Sequence, residues 1–223
     1  MDMDLAVQAF KKFFFGLIIV AALILIPAGT LNYPNAWLFM GLLFIPMLIV
    51  GIILMKKSPD LLKRRLNSKE TESEQKLVVL ISILMFISGF IVAGLNYRFN
   101  WSEMPNIIVI ISSIIFLLAY LMYAEVLREN QYLARTVNVE TDQKVIDTGL
   151  YGIVRHPMYT STILLFLTIP LILGSIYSFL IFLIYPIAIS FRIANEEKVL
   201  EEELSGYVEY KQRVKYKIFP FIF

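Results

Sequence analysis

The sequence predicts an all-α protein: a multi-pass bundle of about six transmembrane helices, with a cytoplasmic cofactor pocket formed by its C-terminal half. Three observations lead there. Hydrophobic residues make up 58% of the 223, and the mean hydropathy is +0.72, well above a soluble domain. They lie in long uninterrupted runs, not at amphipathic spacing. Basic residues collect between alternate runs.

The runs are 13–28, 36–55, 77–95, 105–124, 157–173 and 176–194, and none holds a charged side chain before Arg192. Crossing the hydrocarbon core takes roughly 20 apolar residues. The first and fifth runs are a little short, so each tilts little or sits toward one face. If all six cross, Lys11, Lys12, the 56–76 loop, the 125–156 loop and the C-terminal tail share one side. That side then carries all of the 20 Lys and Arg residues except Arg98, which places both termini and both large loops in the cytoplasm. The first run, two lysines and an apolar core ending in "IPAGT", also has the outline of a cleaved signal peptide. The charge pattern favours its retention as a span.

Residues 1–124 form the front half, four spans with a basic linker. The linker, "KKSPDLLKRRLNSKETESEQK" (56–76), reads as solvated and partly helical, with Ser58-Pro59 starting a helix. Its cations are a plain charge cluster or touch anionic headgroups, at about 1 kcal/mol each. Residues 125–223 form the back half. The fourth span is expected to continue as a helix through "AEVLRENQYLARTV". "VNVETDQKVIDTGLYG" (137–152) alternates apolar and polar residues, as a short hairpin or extended loop does. Gly149 and Gly152 permit a tight backbone around Leu150 and Tyr151. Pro157 suits the first position of the next helix.

Only Gly174-Ser175 joins the fifth and sixth runs, so they pair as an antiparallel hairpin. Its cytoplasmic ends, 156–159 and 191–204, then lie side by side. His156, the single histidine, either caps a helix there or binds something. Glu196 and Glu197 lie about a turn from "IYPIAISF", where an ionised carboxylate is costly unless met by positive charge. Arg192, four residues earlier, offers a simple salt bridge as the competing explanation. Cys is absent, which removes disulfides, thiolate metal sites and a cysteine nucleophile. One histidine and no cysteine speak against a zinc site, and nothing in the pattern points to nucleic acid.

Helix N–H donors suit an anion, carboxylates suit a cation or sugar hydroxyls, and tyrosines suit a flat ring. S-adenosylmethionine presents all of these groups. NADPH would call for arginines around its phosphates, and the Glu-Glu pair would be badly placed.

"VIDTGLYGIVRHPMY", followed at 195–220 by "NEEKVLEEELSGYVEYKQRVKYKIFP", resembles the signature of the isoprenylcysteine carboxyl methyltransferase family, related to the phospholipid N-methyltransferases. The resemblance covers about residues 125–223. It implies an S-adenosylmethionine pocket in which Gln143, Lys144, Val145 and Ile146 wrap the nucleoside and Tyr151 lines the wall. It further implies that His156, Pro157, Met158 and Tyr159 hold the amino-acid end, with Glu197 and Glu196 also on the cofactor. In the carboxyl methyltransferases an arginine one turn before that glutamate orients the substrate carboxylate. Here Ile193 stands at that position and Arg192 one residue earlier. Ser161 and Gln143 also depart from the family's usual glycine and histidine. The implied reaction is methyl transfer to a lipid-like or prenylated acceptor reached from the membrane, carboxylate O-methylation favoured, with Arg192 positioning substrate and Glu196 available to an amine proton. Membrane lipids are the expected surroundings. The alternatives are an NADPH-dependent membrane reductase and a non-catalytic scaffold or sensor that keeps the fold.

Overall fold

The computed structural model describes residues 3–66, 73–133, 139 and 142–222. Among these residues every regular element is helical. Five segments are long and apolar enough to span a membrane: α1 (Met3–Ala28), α2 (Pro34–Lys57), α4 (Ser73–Phe99), α5 (Asn106–Glu129) and the pair α7 (Ile176–Phe182) and α8 (Ile184–Glu203). The short amphipathic α3 (Pro59–Leu66) starts at Ser58-Pro59, as the linker sequence predicts, and buries Leu61 and Leu62.

The fifth predicted run becomes α6 (Pro157–Ile172), of 16 residues. That length rises about 24 Å, less than a hydrocarbon core of roughly 30 Å. Its packing explains why this suffices. Tyr159, Ser161, Ile163, Leu165, Ile169 and Ile172 are all buried, with α5 along one flank and α2, α4, α7 and α8 around the rest. A helix enclosed by other helices is apolar all round without facing lipid.

The sixth run is broken where a single helix is predicted. Pro186 has no N–H to give the carbonyl of Phe182, and its ring crowds that carbonyl. α7 therefore ends at Phe182 and α8 begins at Ile184. Ser175 opens α7, its Oγ accepting from the Ser178 N–H at 3.2 Å. α5 also stops short, at Glu129 rather than beyond Arg135. The Asn130 side chain ends it by accepting from the Tyr132 N–H at 3.0 Å.

Close helix approach is set by glycine. A Cβ on Gly94 would lie 2.4 Å from the Ile24 carbonyl oxygen, and one on Gly89 would lie 2.3 Å from the Phe182 ring. α4 thus meets the backbone of α1 and the side chains of α7 with no room to spare. At one end of the bundle the Tyr33 hydroxyl donates to the Leu173 carbonyl at 2.5 Å. At the opposite end Lys12 donates to the Leu66 carbonyl and Arg64 to the Gln131 carbonyl, at 2.5 and 2.7 Å. The start of α6 and the later part of α8 meet at this second, basic end, as the short 174–175 link requires.

Candidate active site

The basic end of α6 is fixed by two layers of contacts. Beneath it, Glu197 of α8 is buried, and its Oε1 accepts from Arg155 Nε at 2.8 Å and lies 3.1 Å from His156 Nε2. Its Oε2 is 3.4 Å from Lys217 Nζ. Arg155 also donates to the Val214 and Lys215 carbonyls, at 2.7 and 2.8 Å. The Arg155 and His156 N–H groups donate to the Tyr216 and Lys217 carbonyls, each at 2.9 Å. The chain after α9 (Tyr207–Arg213) is thereby tied across the start of α6. His156 occupies the N-cap position of α6, but its ring makes no capping bond.

Above this layer is a pocket with about 840 Å³ of empty space, its open mouth included. Gln143, Lys144, Val145 and Ile146 form one wall, and Tyr151, His156, Met158 and Tyr159 form a second. Arg192 and Glu196 of α8 form a third. The Tyr159 hydroxyl joins them, donating to Glu196 Oε2 at 2.5 Å and accepting from Arg192 Nε at 2.9 Å. The simple Arg192–Glu196 pair of the sequence reading is thus bridged by a tyrosine from the facing helix. Ile193 is fully buried in the core, so Arg192, one residue earlier, is the α8 arginine on the pocket. Pro157 and Glu197 lie outside the lining. Both are buried behind it.

The loop before α6 is held by the end of α5. Glu129 accepts from Thr148 Oγ1 at 2.9 Å and from the Leu150 N–H at 3.3 Å. Asn130 Nδ2 donates to the Tyr151 hydroxyl at 2.9 Å. The described part of the predicted hairpin, 139 and 142–152, contains no strand: 142–148 is irregular and a 3-10 turn follows at Gly149–Gly152, and the remaining residues fall outside the described ones. Gly149 takes φ +51°, and a Cβ there would lie 2.3 Å from Glu129 Oε1. Gly149→Ala is expected to cost about 1–3 kcal/mol through the left-handed backbone alone and to displace Glu129 from Thr148. A thermal unfolding scan and a cofactor-binding titration on the same sample check both effects. An unchanged transition and affinity would show that the turn tolerates a side chain.

The sequence reading did not assign Arg155, Asn130, Tyr207 or Tyr210 to the site. All four line the pocket. Gly206 at φ +85° turns the chain into α9, which places Tyr207 and Tyr210 one turn apart over the cavity. Tyr210 donates to the Tyr151 carbonyl at 2.7 Å. The Tyr207 hydroxyl is buried and has no hydrogen-bond partner among the described residues. Burial first, then the charges of Glu197 and Glu196, push its pKa well up, so the group stays protonated and is a donor. A buried donor left unpaired costs about 1–3 kcal/mol, and because Tyr207 lines the cavity, a ligand acceptor that reaches its hydroxyl would offset that cost.

Fold and site together define an integral membrane protein with a mixed polar and aromatic pocket at one end of its bundle. Residues 105–205 match the family model described as phospholipid methyltransferase. The match is to a membrane methyltransferase family related to the isoprenylcysteine carboxyl methyltransferases, so the resemblance seen in the sequence is borne out. No curated protein gives a significant match to the chain.

The donor set fits S-adenosylmethionine. Tyr207 offers an unused donor, Glu196 offers an acceptor for hydroxyls or a counter-charge for a cation, and Tyr151 and Tyr159 offer rings. Of the two arginines on the pocket, Arg155 is spent on Glu197 and two carbonyls, a poor provision for the phosphates of NADPH.

Proposed function

We propose that the protein transfers a methyl group from S-adenosylmethionine to a lipophilic acceptor, lipid-like or prenylated, at the cytoplasmic interface. The favoured reaction is O-methylation of a carboxylate. The observation that carries this reading is the partnerless Tyr207 hydroxyl, in a pocket walled by Glu196 and Tyr159 at the end of apolar helices.

When bound, S-adenosylmethionine supplies an electrophilic methyl on sulfonium. Residues 143–146 and Tyr151 are suited to the nucleoside, Tyr207 donates to an acceptor atom, and Glu196 takes hydroxyls or positive charge. His156 and Met158 close the pocket against α6. Arg192, on the helix that rises from the membrane, receives the acceptor's carboxylate and fixes its line of approach. An ionised carboxylate needs no general base, so this site works chiefly by positioning and by excluding water. A phospholipid amine is the second reading. The family description favours it, and Glu196 is placed to accept the proton that an amine must release.

Calorimetry with S-adenosylhomocysteine and with NADPH on detergent-purified protein tests the cofactor. Tyr207→Phe is the informative variant, because it breaks no bond within the protein. Its melting temperature is expected to match or exceed the parent's, while homocysteine-cofactor affinity falls roughly threefold to tenfold, the worth of one hydrogen bond. Absence of that binding, or binding of NADPH instead, sinks the reading. Transfer of labelled methyl into base-labile esters or base-stable N-methyl groups then decides the acceptor.

A further inference from the structure

A second feature of the basic end shares no lining residue with the pocket described above. α1, α2 and α3 enclose a groove walled by Phe10, Phe13, Met47, Ile52 and Met55. Lys12 and Arg65 stand in the same groove. Lys12 is held by the Leu66 carbonyl. Arg65 donates to the Tyr123 hydroxyl, lies over that ring at 5.6 Å from its centroid, and reaches Met158 Sδ at 3.9 Å. Both cations are thus fixed where an apolar trough reaches the basic end of the bundle, beside Lys56 and Lys57 at the end of α2. Gly51 forms part of the lining, and a Cβ placed on it meets nothing within 4 Å.

A trough with greasy walls and fixed positive charge is complementary to a molecule with a hydrocarbon chain and an anionic head. At the boundary of a bilayer the abundant molecule of that kind is an anionic phospholipid, drawn to basic residues by charge and held by burial of its chain. We propose that the α1–α3 groove binds one anionic phospholipid, its acyl chain along Phe10, Met47 and Met55 and its phosphate on Lys12 and Arg65. The groove lies in the front half, outside residues 105–205, and is distinct from the transfer pocket. Arg65 joins the two, because Met158 lines that pocket.

The test uses the full chain in phosphatidylcholine nanodiscs carrying a trace of diazirine-tailed phosphatidylglycerol or, in parallel, diazirine-tailed phosphatidylcholine. Adducts are expected on Phe10, Met47 and Met55, roughly tenfold more from the anionic lipid, given two cations at the head. A Lys12→Gln and Arg65→Gln double variant should bring the two lipids level. Gly51→Leu, which fills the trough without touching the fold's backbone, should abolish the adducts while S-adenosylhomocysteine affinity stays at the parent value. Equal labelling by both lipids, or labels spread over the outward faces of α4 and α5, would each overturn the proposal. Normal labelling in a protein that binds no S-adenosylhomocysteine would remove the methyltransferase reading and leave the lipid site standing.

Discussion

Replacing Glu197 with alanine is expected to destabilise the folded protein by about 3–5 kcal/mol, the cost of breaking a buried ion pair from one side. Arg155 would keep its charge at 6% exposure with its carboxylate gone, and His156 and Lys217 would lose the same partner. The tail from Val214 to Lys217 hangs on these contacts, so it should loosen first. Thermal unfolding in detergent gives the size of the effect. Limited trypsin digestion gives its place, with cleavage after Lys215 and Lys217 appearing before cuts elsewhere. Glu197→Gln keeps the shape and one acceptor, and should fall between the parent and alanine. An alanine variant that melts with the parent and resists trypsin at the tail would mean that Glu197 does not hold this end together.

Arg192→Ala carries the second large effect, on activity. Arg192 lines the pocket and is bonded to the hydroxyl that also binds Glu196. A charge-assisted bond to the acceptor is worth about 1.5–3 kcal/mol, so transfer to a carboxylate acceptor should fall roughly 10- to 100-fold. S-adenosylhomocysteine affinity should change far less, since the proposed role is on the acceptor. Arg192→Lys should recover only part of the loss, because a point charge lacks the planar fork. Parallel titrations and initial-rate measurements separate the two effects. Equal loss of cofactor binding and rate would move Arg192 from the acceptor to the cofactor. Full activity without it would remove the carboxylate reading and leave the amine.

Much of this architecture is legible from patterning, because the bilayer imposes long apolar runs and the chain supplies them. Helix extent failed at two places, for different reasons. Pro186 breaks the last run at the carbonyl of Phe182, a rule that residue order alone supplies. The end of α5 at Glu129 is different. Asn130 turns out of the helix on its own side-chain bond to the Tyr132 N–H, and this end is held where Tyr151, Thr148 and Leu150 arrive beside Asn130 and Glu129 from later in the chain. The linker shows the same limit. Its charge cluster reads equally well as a solvated face until Arg64 and Arg65 are seen docked on Gln131, Tyr123 and Met158.

Among the site residues, the segments 156–159 and 192–197 were marked by their chemistry and their place at the two ends of one hairpin, and 143–146 only by the family resemblance. The roles within them were not. Two adjacent glutamates differ by about 100° around a helix, so one faces a pocket and the other a buried arginine, and sequence order does not say which. Tyr207 carried a faint signal, a tyrosine just after a glycine and three residues before another. Nothing local says that its hydroxyl is enclosed without a partner.

The sequence by itself determined that this chain is a helical membrane protein whose polar chemistry gathers at one end of its back half. Hydrophobic burial and the charge of the loops act through composition and order, and both can be read along a line. Only the tertiary structure decided that Glu197 supports the site from behind, that Tyr159 bridges Arg192 to Glu196, and that α3 closes a groove over α1 and α2. Those outcomes depend on which side chains meet across helices distant in sequence. Hydrogen bonds and packing act over a few ångströms in space, whatever the separation along the chain.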